Sequence, residues 1–412
     1  MLRKRRRRPN WPYRFAWLAI WLALSSYAAA QTWANAMTLG RRSYGIDWGL
    51  SLVASLFDTT VAIFFVVVGA CIGSFLNVVA YRLPLGRFIG GHSACPYCCT
   101  PIDGIDNVPV LAWIKLRGRC HTCRLPISVQ YPLVELSVAV MFFAVYATEF
   151  ATGGANLPGI GRPNGSGGVL RVNVTPVVIL QISSYLFLLC GLVAAALIAV
   201  KRRRIPLQLY LWSVLLLVIS GVCLPETIVV PWRESSALTA QTARLDVLVT
   251  LVCGAAAGIA VARLLAPLAY RTFDRSLMAG DTNTSTVRQF VGAMAVAGCA
   301  VGWQSCVSLA WSVVLCALVG SLSVRWLTRR QAPLASQVNL GDLTVWVWLG
   351  LLLFRVIWDD LLDWQILPNA IPQVGRHVLG ALLLAPLVWI LREWTQPVEP
   401  AASTTEEHEQ EE

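Results

Sequence analysis

The chain has 412 residues, of which 56% are hydrophobic and 13% charged, about half the charged share of an ordinary soluble domain. That balance excludes a water-soluble globular protein. The formal net charge of +11 falls in short runs between apolar stretches, a pattern that marks membrane topology and contact with anionic lipid, not a nucleic-acid surface.

Taken in chain order, spans are predicted near residues 12–30, 58–80, 132–149, 176–200, 207–223, 246–268, 289–306, 308–326, 345–362 and 377–391. Most are close to the roughly 20 residues that cross a bilayer as a helix. The fold class is therefore an all-α polytopic membrane protein with about 9–10 transmembrane helices. With the N-terminus inside, 25 of the 33 Lys and Arg residues fall on cytoplasmic segments, as retention of positive charge requires. The runs that decide this are Arg3 to Arg8, the loop from Arg82 to Arg124, Lys201 to Arg204, Arg263 to Arg288 and Arg325 to Arg330.

Residues 1–57 make a basic segment with an extra hydrophobic anchor. Its Tyr27-Ala28-Ala29-Ala30 before Gln31 also fits a cleavable signal peptide. The stretch Gly153 to Gly168 reads as a flexible connector, residues 327–396 as additional C-terminal spans, and residues 397–412 as a disordered acidic tail. No repeat of solenoid period is present.

Seven of the twelve cysteines, Cys71, Cys190, Cys223, Cys253, Cys299, Cys306 and Cys316, lie in or at the ends of apolar stretches and read as small buried hydrophobes. The other five cluster in residues 81–130, as Cys95-Pro96-Tyr97-Cys98-Cys99 and Cys120-His121-Thr122-Cys123. Cys95, Cys98, Cys120 and Cys123 form two Cys-x-x-Cys pairs separated by 21 residues, the spacing of a tetrahedral four-thiolate zinc site. The topology puts the loop in reducing cytoplasm, where disulfides are disfavoured. A redox dithiol and a site that holds no metal are the alternatives. A closed thiolate shell has no open position for substrate, so the metal's work is to fold the loop. Cys99 and His121 are neighbours and not ligands.

The residues flanking the knuckles are more specific. Gly73-Ser74-Phe75-Leu76-Asn77-Val78-Val79-Ala80-Tyr81-Arg82-Leu83-Pro84 leads into the loop, and Arg117-Gly118-Arg119, Ile127-Ser128 and Tyr131-Pro132-Leu133-Val134-Glu135 lead out. This resembles the N-terminal region of bacterial prepilin leader peptidase/N-methyltransferases, densely over residues 65–145 and thinly to about residue 326. The resemblance implies a domain at residues 58–149 and a peptidase-like transmembrane region at 176–326. It also implies a bacterial inner-membrane enzyme that cleaves type IV pilin-like or pseudopilin precursors with two aspartates and methylates the new N-terminus with S-adenosylmethionine. Asn77, Tyr81 and Arg82 are the methyltransferase-associated residues by that resemblance.

An aspartic peptidase needs one protonated and one ionised carboxylate sharing a water. In the family, the first aspartate stands seven residues before the proline of an Ile-Pro pair, and here Ile205-Pro206 places Ala199 there. Ala279-Gly280-Asp281 is a partial match to the second motif, while alignment on the glycine patch Gly298 to Gln304 puts Phe290 at the aspartate position. Asp281 is thus the catalytic candidate, against a plain turn aspartate. Asp58, Glu135, Asp246, Asp359, Asp360 and Asp363 near span ends are the other acids considered. A transporter or channel would share the span count, but no paired broken helices mark a midplane site.

Overall fold

The computed structural model describes residues 11–40, 48–152, 176–201, 203–225, 240–270, 282–328, 343–356, 379–380 and 382–389. Asp281, Asp359, Asp360, Asp363, the Gly153 to Gly168 connector and the tail from Pro397 lie outside the described residues. The described elements are α1 (Trp11–Gly40), α2 (Trp48–Arg82), α3 (Leu111–Leu116), α4 (Gln130–Val145), α5 (Pro176–Val200), α6 (Leu207–Cys223), α7 (Ala240–Tyr270), α8 (Thr282–Val301), α9 (Cys306–Thr328) and α10 (Thr344–Val356). No strand occurs among the described residues, so the all-α expectation holds.

Among the described residues, five stretches are long and apolar enough to cross a membrane: Leu52–Leu85, Gln130–Phe150, Pro176–Val200, Arg244–Ala266 and Trp303–Ser323. Leu207–Cys223, Val287–Val301 and Thr344–Val356 are shorter apolar helices. In lipid the backbone can satisfy its hydrogen bonds only within helices or closed barrels, so an apolar sequence of this length folds as these helices. The outward faces of α2, such as Phe64, Val67 and Phe75, are exposed, as lipid-facing side chains must be. Not every membrane cysteine is inside: Cys299, Cys306 and Cys316 are buried, but Cys71 and Cys223 are exposed, because a lipid-facing position suits a small apolar thiol as well as a core does.

Lipid tails are as apolar as leucine, so these helices associate through close packing and interhelical hydrogen bonds. Two seams show this. In α7 and α8, a Cβ on Gly254 would lie 2.2 Å from the Gly298 carbonyl oxygen, and one on Gly298 would lie 2.3 Å from that of Gly254. In α2 and α4, a Cβ on Gly69 would lie 2.9 Å from Ala139 Cα, and one on Gly73 would lie 2.8 Å from Glu135 Cα. Gly69, Gly73 and Asn77 recur every fourth residue along one stripe of α2. Asn77 is buried there, with its side-chain amide donating to the carbonyls of Gly73 at 3.3 Å and Tyr131 at 3.4 Å.

At the far end of α5, Lys201 Nζ lies 6.0 Å from the Tyr81 ring centroid. The Lys201 to Arg204 run therefore begins at the same end of the bundle as the cysteine loop, which joins α2 to α4.

The α2–α4 seam yields a direct expectation. Gly73→Val should destabilise the detergent-solubilised protein by roughly 1–3 kcal/mol through overpacking, measured by thermal unfolding. Gly104→Ala, where a Cβ would meet nothing within 4 Å, is the control. Equal melting temperatures for the two variants would contradict the seam.

Candidate metal centre and its helical mount

The chain leaves α2 through a short turn at Leu83–Leu85, closed by Gly86 at φ 63°. Arg82 then folds back over it, its guanidinium donating to the carbonyls of Phe88, Ile89 and Gly90 at 3.4, 3.2 and 2.6 Å. Arg82 thereby shapes the entry to the loop. Tyr81 remains half exposed.

Two knuckles follow with the same backbone plan. In the first, Cys95 N–H donates to Thr100, Cys99 N–H to Cys95 and Ile102 N–H to Ser93. In the second, Cys120 N–H donates to Leu125, Arg124 N–H to Cys120 and Ile127 N–H to Gly118. Bridges pair Ala94 with Pro101 and Arg119 with Pro126. Cys99 and Arg124 hold the equivalent left-handed position, at φ 54° and 64°. The unit Cys-x-x-Cys-x-x-Pro-Ile occurs at Cys95 to Ile102 and again at Cys120 to Ile127. This short repeat was open to sequence reading, but a search for solenoid periods passes over it.

The two turns face each other. Cys95 Sγ lies 3.8 Å from Cys123 Sγ, Cys98 Sγ lies 4.0 Å from Cys120 Sγ, and all four sulfurs fall within 4.8 Å of one another. A tetrahedron of Zn–S bonds of about 2.3 Å has edges of about 3.8 Å, so the sulfurs fit such an ion with little movement. Electrostatics points the same way. Hydrogen bonds from the Thr100 side chain and backbone bring the Cys98 thiol down to about 6. At Cys123 the Leu125 backbone acts to lower the value, but desolvation and the neighbouring sulfurs push it up to about 11. Without a cation the cluster therefore resists carrying four thiolates. A soft dication removes that repulsion and matches the donor set.

Between the knuckles, α3 provides the loop's own small support. Trp113 Nε1 donates to the Ile127 carbonyl at 3.1 Å, and the Trp113 ring covers Gly118. Asp106 receives Lys115 Nζ at 2.9 Å and also pairs with His121 Nδ1. Burial acts to raise the Asp106 carboxyl, but Lys115 and His121 outweigh it and hold the group below the usual carboxylate value. His121 thus braces the loop.

The loop is fastened to the bundle by Glu135. This residue is buried in the second turn of α4, and its Oε2 accepts the Val110 N–H at 2.6 Å. Val110 sits at φ 59°, ψ −53°, with Leu111 N–H donating back to the Pro109 carbonyl at 2.6 Å. This is a γ-turn, a strained conformation for a β-branched residue. It persists because the carboxylate holds its amide.

The structure thus brings Cys95, Cys98, Cys120 and Cys123 together, and gives Asn77 and Arg82 supporting positions around them. It places Ala199 and Phe290 elsewhere. Both lie in the apolar core, 4% and 0% exposed, where an ionised carboxylate would be costly. Sequence reading missed the Glu135–Val110 tie. The signal available was an acid at the head of an apolar span, a position that demands a partner.

Residues 67–149 match the bacterial peptidase A24 N-terminal domain. Three similar proteins carry the name prepilin leader peptidase/N-methyltransferase. The one from Myxococcus xanthus (strain DK1622) is 45% identical over 95 residues, covering 23% of this chain and 28% of the relative. That from Aeromonas hydrophila is 39% identical over 102 residues, covering 19% and 35%. That from Vibrio cholerae serotype O1 (strain ATCC 39315 / El Tor Inaba N16961) is 40% identical over 93 residues, covering 20% and 37%. The chain thus spans about a third of the length of these relatives. No solved structure matches it. The matched domain contains the α2–α4 seam and all four converging cysteines.

Removing the Glu135 carboxylate should release the loop while leaving the helices intact. Glu135→Ala is expected to weaken the loop's attachment by about 1.5–3 kcal/mol, the scale of a hydrogen bond to a charged group. Limited proteolysis within residues 83–129 should become faster, with unchanged helical circular dichroism. Unchanged cleavage would show that the tie does not hold the loop.

Proposed function

We propose that this is a bacterial inner-membrane protein of the prepilin-processing kind, acting on type IV pilin-like or pseudopilin precursors at its cytoplasmic face. Its zinc-organised loop serves N-methylation of the pilin N-terminus, without proteolysis by the usual aspartate pair. The convergence of four cysteine sulfurs on the α2–α4 seam, inside the region most similar to the named relatives, carries this reading. The residues for holding zinc are Cys95, Cys98, Cys120 and Cys123. Because that shell is closed, the metal would fold the loop and take no part in the reaction.

The chain's own residues set the stage. Asn77 and Glu135 fix the loop's exit from the bilayer, and Arg82 orders its entry. Tyr81 stays exposed beside Lys201 at the same edge. S-adenosylmethionine would supply the methyl group to the pilin amine, in keeping with the relatives' name. Orientation with the loop inside is supported by the Lys201 to Arg204 run at the loop's end of the bundle.

The non-proteolytic part rests on the two positions where the resemblance expects acids. Ala199 and Phe290 offer no carboxylate, and their surroundings are dry. The alternative is a peptidase built on Asp281 with a second acid brought to it.

Two measurements test the proposal. Zinc analysis of the purified protein should give one ion per chain, lost in Cys95→Ser/Cys120→Ser, and wild-type stoichiometry in that variant would remove the metal reading. In vesicles, the wild type should transfer labelled methyl from S-adenosylmethionine to a pre-cleaved pilin and leave the full-length precursor uncut. Cleavage by the wild type that Asp281→Ala abolishes would establish the peptidase alternative. Absence of both methyl transfer and cleavage would overturn the enzymatic reading altogether.

A further inference from the structure

The end of the bundle away from the cysteine loop carries a contact of another kind. Arg355 of α10 and Glu149 are joined by an Nε–Oε1 hydrogen bond of 2.9 Å, with side chains 4% and 2% exposed. Glu149 is the last residue of the matched domain, and Arg355 lies far outside it. In a bundle surrounded by lipid, a lone charge at either position would be costly, so each makes the other tolerable.

Three neighbouring features shape this pair. Tyr185 of α5 lies with its ring centroid 5.3 Å from the Arg355 guanidinium carbon, and its hydroxyl donates to the Leu351 carbonyl at 2.9 Å, one turn earlier on α10. Behind α4 the helix widens into a π-turn over Tyr146–Phe150. Within that turn the Tyr146 hydroxyl donates to the Asp58 carbonyl of α2 at 2.8 Å, while Glu149 serves α10. Such widened turns recur where a side chain must be redirected for a purpose. On its other face α10 approaches α9 closely, since a Cβ on Gly350 would lie 2.7 Å from Val313 Cα.

We infer that Glu149 and Arg355 form a membrane-buried clamp that fastens α10 to the α2–α4 unit bearing the cysteine loop, so that the chain beyond residue 327 completes the matched region instead of merely following it. This does not depend on the proposed activity. The division at residue 327 that the sequence suggests is crossed by an interaction that neither side can drop alone.

A charge-removal cycle on the full-length protein, purified in detergent, tests the clamp. Glu149→Gln and Arg355→Met singly should each lower the melting temperature by about 5 °C or more, the scale of an orphaned buried charge. Glu149→Gln/Arg355→Met together should recover more than half of the summed loss. The exchange Glu149→Arg/Arg355→Glu, assayed alongside, should recover part of it even if the neutral pair packs poorly. Single variants that melt with the wild type, or combined variants that both lose the full sum, would overturn the clamp.

Discussion

The close approach of α2 to α4 is the constraint on which the rest of the molecule's organisation depends. Two glycines, Gly69 and Gly73, remove side chains that would collide with the α4 backbone. Only then can Asn77 reach the Tyr131 carbonyl across the seam. Interhelical hydrogen bonds in membranes contribute about 0.6–1.7 kcal/mol each, so this bond alone would not hold two helices. Its value is positional. The seam fixes the distance between the end of α2 and the start of α4, and that distance is the span the cysteine loop must bridge.

The loop itself is too small to fold on buried apolar area. Its described support is a single tryptophan over one glycine, one hydrogen-bonded aspartate and four sulfurs. A structural metal at the sulfurs would contribute folding free energy directly. The Glu135 tie then turns a folded loop into an oriented one, because it grips the backbone at Val110, a strained residue midway between the knuckles.

Much of this was legible in the sequence, for physical reasons that differ by feature. Helices such as Pro176–Val200 and Leu207–Cys223 could be placed closely because a run of apolar residues ended by Lys201 to Arg204 and Pro206 has only one stable arrangement in lipid. The convergence of the four cysteines could be anticipated because two short Cys-x-x-Cys turns have few ways to bring four sulfurs together. The Glu149–Arg355 pair was not legible. Its partners stand 206 positions apart, and nothing local to either residue announces the other. Cys71 and Cys223 failed for a related reason: apolar surroundings in sequence do not distinguish a core position from one facing lipid.

The polar residues of the bundle sort themselves into two ends with different work. At one end Asn77, Glu135 and Arg82 all bind backbone, and each holds the loop or its roots. At the other end Glu149 binds a side chain, Arg355, on a helix the matched domain does not include. Backbone partners survive almost any change of neighbouring side chains. A side-chain ion pair requires both residues to be kept together. Replacing either member alone would leave the other charge buried without its partner. In the apolar core, Ala199 and Phe290 are 4% and 0% exposed, and at such close-packed positions an apolar side chain is the stable occupant because it leaves no buried charge to satisfy.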